Sequence, residues 1–315
     1  MKQYDELPPA IFLMGPTAAG KTELALALHD ALSVEIISVD SSQVYRGMDI
    51  GTAKPTAEEQ KRAPHRLIDI RDPAETYSAA EFCTDALREM DTITHAGKIP
   101  LLVGGTMFYF HALEFGLSDL PSADPDIRSR LDEEAKHLGW DTMHRRLQFL
   151  DPDSAARIHP HDTQRIQRAL EIHEITGHPP SALGASKPGV SLPYRPVKIA
   201  LWPQDRSVLH ERIERRFHVM LEQGFVAEVE QLYRRGGLLG TMSSLRTVGY
   251  RQIWEYLTKA VNYSEMVQKA IAATRQLAKR QITWLRSYPD VYAFDSANSL
   301  QEKECIQYLL QRMGP

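Results

Sequence analysis

Residues 12–24 read FLMGPTAAGKTEL, and this stretch decides the fold. Within it, Gly15, Pro16, Thr17, Ala18, Ala19, Gly20, Lys21 and Thr22 match the spacing G-x-x-x-x-G-K-[ST] of a phosphate-binding loop. Such a loop works through geometry. Glycines let the backbone approach an anion, successive N–H groups point at it, and the helix that follows adds a favourable dipole. Lys21 supplies a point charge, and the Thr22 hydroxyl can hold Mg²⁺. The apolar run at residues 10–14 precedes the loop. Residues 22–32 follow with helical periodicity, placing Leu24, Leu28 and Leu32 on one face. Strand, loop and helix are the context the motif needs, and a nucleotide such as ATP is its default ligand.

Working outward, VEIISV at residues 34–39 and IPLLV at residues 99–103 read as further buried strands, with a helical pattern at residues 79–96 between them. Strands alternating with helices predict an α/β fold: a P-loop NTPase-like parallel sheet with helices on both faces and right-handed crossovers. After about residue 117 the strand signal fades. A helix-rich insertion follows, interrupted by Asp151-Pro152, His159-Pro160 and the HPP at residues 178–180. One strand, at residues 197–202, returns to the sheet, and long helices are expected at residues 207–223, 226–235 and 264–287. The expected division is a catalytic core of residues 1–119 and 196–315 and an inserted helical domain of residues 120–195.

Composition is ordinary for a globular chain, with 43% hydrophobic and 25% charged residues among 315. The two cysteines have no metal-ligand spacing. The N-terminal MKQYDELPPA has no apolar signal core, and no apolar run reaches the roughly 18 residues of a membrane helix. A soluble, cytoplasmic protein without membrane association is expected. The net charge of −4 conceals an asymmetry: residues 1–120 carry 10 basic and 18 acidic side chains, residues 201–288 carry 14 and 8. A basic C-terminal part suits a polyanionic partner, and equally a solvated helical surface.

P-loop NTPases hold Mg²⁺ through an acid ending a second strand. Here the candidate strand IPLLV ends in Gly104-Gly105-Thr106, without one. The acid is Asp40, just beyond VEIISV. Ligands of open α/β sheets sit beyond the carboxyl ends of the strands, so Gly20, Asp40 and Thr106 should line one crevice. Asp40 could bind metal, act as a general base, or merely cap the next segment.

Several stretches together carry a family resemblance. GPTAAGKT, ISVDSSQVYRGMDIGTAKP, VGGTMFYFHALEFGL, RIERRF, RTVGYRQ and TRQLAKRQITWLR occur in that order over residues 11–286. Together they resemble the bacterial tRNA dimethylallyltransferases, also called tRNA isopentenyltransferases. The resemblance implies transfer of a dimethylallyl group from dimethylallyl diphosphate to N6 of the adenine just 3′ of the tRNA anticodon. The loop would then hold the diphosphate of an allylic donor, with Mg²⁺ at Thr22.

Residue by residue, the resemblance makes Asp40 the general base and places Thr106 near the adenine. Arg212 and Arg216, four apart on one helix face, become a diphosphate clamp; read alone, they are solvated surface arginines. The inserted helical domain would grip the anticodon stem-loop. Segments resembling tRNA contacts are Asp40, Ser41, Ser42 and Gln43; Thr106; Arg128; Gln164, Arg165, Ile166, Gln167 and Arg168; and Arg246, Thr247, Val248, Gly249, Tyr250 and Arg251. Within HPHDTQRIQRALEIHEITGHPP, Asp162 or Thr163 should cap a helix and Gly177 should end it. Ile166, Leu170 and Ile175 should face inward, and Gln164, Arg165 and Arg168 outward. Trp284 is expected in the core. A monomer is expected. Three other readings share the loop: a small-molecule kinase, a dimethylallyltransferase acting on free adenylate, and a non-enzymatic RNA-binding switch.

Overall fold

In β1 (Pro9–Met14) the side chains of Phe12 and Met14 enter one apolar cluster and those of Ile11 and Leu13 another. A strand buried on both faces requires this alternation. The computed structural model describes residues 7–118, 120–183 and 192–313. They group into two compact units, Met1–Glu114 with Leu192–Pro315, and Phe115–Ser191.

The first unit is built on a six-stranded sheet. Its other strands are β2 (Val34–Val39), β3 (His65–Arg66), β4 (Ile99–Gly104), β5 (Arg195–Trp202) and β6 (Tyr292–Asp295). Their order is β3-β2-β4-β1-β5-β6, and every pairing is parallel. The helices are α1 (Lys21–Ala31), α2 (Ala57–Arg62), α3 (Ala79–His95) and α4 (Met107–Phe115). The second unit contributes α5 (Pro125–Leu138), α6 (Trp140–Leu150), α7 (Pro152–Arg157), α8 (Thr163–Thr176) and α9 (Pro180–Leu183). The first unit resumes with α10 (Arg206–Glu222), α11 (Phe225–Arg235), α12 (Tyr250–Leu257), α13 (Tyr263–Ser287) and α14 (Gln301–Met313).

Helices cover both faces. On one, Phe82 and Met90 of α3, Phe110 of α4, Val229 of α11 and Ile253 of α12 meet Phe12 and Ile37. On the other, Leu24 and Leu28 of α1 and Leu309 of α14 meet Ile11 and Ile36. Capping boxes fix two long starts, Ser78 with Glu81 before α3 and Asn262 with Glu265 before α13.

Nothing in the sequence pattern anticipates β3, β6 or α14. β3 has two residues and β6 has four, too few to display a period. Only Cys305 and Leu309 are buried along α14. No described helix is long and apolar enough to cross a membrane.

In the second unit, Leu131, Met143, Leu147, Ile166 and Leu170 form the core. Asp162 caps α8 by accepting the Arg165 N–H at 3.2 Å, and Gly177 ends it at φ 71°. Ile175 corrects the expected inner face, for it is 37% exposed while Ala169 and Ile172 are buried. At 3.6 residues per turn, nine residues beyond Ile166 is half a turn away.

Candidate active site

The loop between β1 and α1 begins at Gly15, where an added Cβ would sit 2.5 Å from the Leu201 carbonyl oxygen of β5. Only glycine allows that approach. Ala18 at φ 63° and Gly20 at φ 91° turn the loop through left-handed conformations. Ala18 packs on Leu209 and Ile213 of α10 and on Ala278 and Ile282 of α13. That packing offsets a backbone cost of about 1–2 kcal/mol for a non-glycine residue.

Lys21 opens α1 and its Nζ donates to the Pro16 carbonyl at 2.8 Å. Desolvation and the nearby Arg216 charge push the Lys21 ammonium down to about 8, against the opposing pull of Asp40. Desolvation also lowers Arg216, and Asp40 again opposes it. Lys21, Arg216 and Asp40 therefore form one charge cluster beyond the carboxyl ends of β1 and β2. The Arg216 guanidinium has no hydrogen bond or ion pair among the described residues.

Asp40 follows β2. Its Oδ1 accepts the Ser42 N–H at 2.9 Å and the Ser42 hydroxyl at 2.5 Å. The capping geometry is thus present, and it orients the carboxylate while leaving Oδ2 without a donor among the described residues. Thr106 follows β4. Its N–H donates to the Val39 carbonyl at 3.2 Å and its Oγ1 accepts the Ser41 N–H at 3.1 Å. The ends of β2 and β4 are stitched together there. Among the described residues, no group of three or more His, Cys, Asp or Glu could hold a metal ion. The donor set near the loop is the Thr22 hydroxyl with two carboxylates, Asp40, which is electrostatically coupled to Lys21, and Glu23, whose Oε2 would lie 3.9 Å from a Cβ added at Gly20. It suits an ion such as Mg²⁺ that keeps waters and takes phosphate oxygens.

Other expected site residues are placed differently. Arg212 donates to the Ser296 hydroxyl at 2.9 Å and the Ser296 carbonyl at 3.0 Å. Of the expected arginine pair, Arg216 alone is electrostatically coupled to Lys21 and Asp40. Gln43 is half-buried, accepting the Ser38 hydroxyl at 2.8 Å and donating to the Thr52 and Ala53 carbonyls. Within the expected contact segment the Tyr250 side chain is fully buried and its hydroxyl donates to Glu228 at 2.5 Å. Its neighbours Arg246 and Arg251 are exposed, Thr247 and Val248 are half-buried, and Gly249 starts α12 at φ 92°. Trp284 also corrects its expectation. It is 37% exposed, with His111 edge-on at 5.9 Å.

In the second unit Ile166 is fully buried, its side chain facing inward as the helical spacing predicts. Arg168 does not simply face outward. With Arg128 it grips the fully buried carboxylate of Glu171, at 2.6 and 2.9 Å. Gln167 donates to the Arg128 carbonyl and to Asp132. Arg165 remains the exposed member, 3.4 Å from Asp162, and Gln164 is exposed beside it.

Two residues of the first unit escape the sequence reading. Gln281 of α13 accepts the Thr17 N–H at 3.0 Å and donates to the Gly105 carbonyl at 2.8 Å. Glu228 of α11 accepts the N–H groups of Asp49, Ile50 and Gly51 at 3.0, 2.7 and 3.2 Å. Gln281 lies inside TRQLAKRQITWLR, and its interruption of the surrounding basic residues is the available signal. Glu228 looks like any solvated helical acid, and nothing local distinguishes it.

Comparison with known proteins bears on this arrangement. The family profile described as IPP transferase matches residues 43–288. The full-length tRNA isopentenylpyrophosphate transferase of Bacillus halodurans is 37% identical, covers 98% of this chain and 97% of its own, and superposes with a TM-score of 0.71. The tRNA delta(2)-isopentenylpyrophosphate transferase of Staphylococcus epidermidis is 33% identical over 97% of this chain and 99% of its own, with a TM-score of 0.69. A eukaryotic dimethylallyltransferase acting on tRNA is 26% identical over 97% of this chain and 79% of its own, with a TM-score of 0.78. A parallel α/β core matched over nearly the whole chain leads to one conclusion: the chain belongs to the IPP transferase family.

Proposed function

We propose that the protein transfers a dimethylallyl group from dimethylallyl diphosphate to N6 of the adenine just 3′ of the anticodon in tRNA. The observation that carries this reading is the electrostatic coupling of Lys21, Arg216 and Asp40, with Lys21 and Asp40 placed just after β1 and β2. Two cations suit a diphosphate, and one carboxylate with an undonated oxygen suits an amine that must lose a proton. In the reaction the allylic carbon–oxygen bond breaks and its electron pair leaves with the diphosphate. The N6 lone pair forms the new carbon–nitrogen bond, and the N6 proton passes to Asp40 Oδ2.

Backbone N–H groups of Gly15–Thr22, with Lys21 and Arg216, stabilise the charge that grows on the leaving group. Thr22 would hold Mg²⁺, which when bound neutralises part of that charge. Thr106, joined to Ser41, lines the acceptor side. Arg212 acts from behind by fixing α10 to Ser296.

The target adenine must leave its stack to reach Asp40, at a cost of a few kcal/mol that is least in a loop. The second unit supplies Arg165, Gln164 and the Arg128–Arg168 pair toward the anticodon stem-loop. In the first unit taken by itself, Arg246, Arg251 and the exposed Lys279, Arg280 and Arg286 are cations suited to RNA phosphates. The reading makes the protein a monomeric, cytoplasmic tRNA-modifying enzyme.

The test is incubation with Mg²⁺, dimethylallyl diphosphate and an unmodified anticodon stem-loop with an A-rich segment, followed by mass spectrometry. A gain of one dimethylallyl group on the RNA is expected. Modification of free AMP in place of the RNA, or ATP turnover without alkylation, would contradict the reading.

A further inference from the structure

The loop after β1 and the loop after β4 share one side chain. Gln281 Oε1 accepts the Thr17 N–H at 3.0 Å while its Nε2 donates to the Gly105 carbonyl at 2.8 Å. A primary amide offers both a donor and an acceptor on one short, planar group, which few other side chains can do. The fit is close. A Cβ added at Gly105 would lie 2.6 Å from Gln281 Nε2. Its helical neighbours Ala278 and Ile282 pack against Ala18, so α13 is seated on the same loop by apolar contact.

The connections continue on the far side. Thr106, next to Gly105, accepts the Ser41 N–H, and Ser41 adjoins Asp40. A path of three links thus runs from the diphosphate-binding loop to the carboxylate: Gln281 across to Gly105, Thr106 across to Ser41, and the Ser42 N–H and hydroxyl onto Asp40.

We propose that Gln281 is a positioning residue that sets the separation of the donor loop from the acceptor side of the site. This rests on the transfer reaction proposed above. Gln281 touches neither reacting atom in that reaction. Its effect is on alignment, and a misplacement of about 1 Å in a near-attack geometry can cost roughly 100-fold in rate. Loosening the tie should therefore lower the chemical step and leave the affinity of either substrate little changed.

The variants are Gln281→Met, which keeps the volume and removes both hydrogen bonds, and Gln281→Glu, which keeps an acceptor for Thr17 and loses the donor to Gly105. Each is compared with wild type for single-turnover rate at saturating dimethylallyl diphosphate and stem-loop, KM for both substrates, and the titrated fraction of active sites. The expected result is a rate lower by about 10–100-fold, with both KM values within about 3-fold and an unchanged active fraction. A wild-type rate in Gln281→Met, or a loss carried wholly by KM or by inactive protein, would overturn the proposal. Hydrogen exchange separates this from the reaction itself. In Gln281→Met the segments at residues 12–24 and 99–110 should both exchange faster; unchanged exchange in both would refute the tie. Absence of transfer by the wild type would instead overturn the proposed reaction and the catalytic consequence with it.

Discussion

Glu228 accepts the Tyr250 hydroxyl at 2.5 Å, and the same carboxylate receives three successive backbone N–H groups, of Asp49, Ile50 and Gly51. One acid thereby anchors the segment that follows Asp40–Gln43 to α11 and α12. Removing it strands four donors in a half-buried place. Glu228→Ala should cost about 2–4 kcal/mol, and Tyr250→Phe about 1–2 kcal/mol. Urea midpoints at constant m would check both. A Glu228→Ala protein as stable as wild type would contradict the anchoring role.

In the second unit the arginines proposed to face RNA differ in how much of the fold they hold. Arg128 and Arg168 hold the buried Glu171, so Glu171→Ala should destabilise that unit by about 2–3 kcal/mol. Arg165 is 69% exposed in its side chain and has only a loose partner. Arg165→Ala should change stability by less than about 0.5 kcal/mol, yet weaken stem-loop binding and reduce its salt slope by about one. Binding measured across a salt series, beside urea unfolding, distinguishes the two effects.

Asp151 supplies a pH dependence. Burial pushes its carboxyl upward, but hydrogen bonds from Ser154 and Ser181 outweigh it and hold the group down to about 2. A depressed folded value contributes stability that is present above the ordinary aspartate range and lost as pH falls toward about 2. The contribution near neutrality is about 2 kcal/mol. Asp151→Asn should therefore lose stability at pH 7 and unfold with a shallower acid dependence between pH 4 and 2, read by circular dichroism.

Lys198 sits inside the sheet unit, with its Nζ 2.7 Å from Glu114, and the Tyr288 hydroxyl donates to the same carboxylate at 2.9 Å. Both charges are nearly inaccessible, at 6% and 11% of side-chain exposure. Lys198→Met leaves Glu114 buried without its cation and should cost about 3–5 kcal/mol, whereas adding Glu114→Leu should recover most of it. Thermal unfolding of the single and double variants is the check.

The sheet was legible because its strands are apolar and its loop has a fixed spacing. VEIISV and IPLLV needed no partner to be recognised, whereas β3 and β6 exist only because a neighbouring strand offers its edge. At the site, Lys21 and Asp40 could be read from their places after strands. Arg212 and Arg216 could not be told apart, since helical spacing puts both on one face and only the tertiary partner, Ser296, separates them. Tyr250 lies within a segment that looks exposed by its polar neighbours, yet packing takes it into a core, whereas helical spacing already places Ile166 inward. Gln281 and Glu228 act across more than 170 residues, and no local pattern records which residues they reach.

The most direct measurement is the single-turnover rate of dimethylallyl transfer to the stem-loop by Asp40→Asn, set beside its affinity for the same RNA. Asparagine keeps an oxygen to accept from Ser42 but cannot take the N6 proton. With Asp40 as the base, the rate should fall by about 100-fold or more while the stem-loop dissociation constant stays within a few-fold of wild type. A near-wild-type rate, or a loss explained by weaker RNA binding alone, would contradict the assignment.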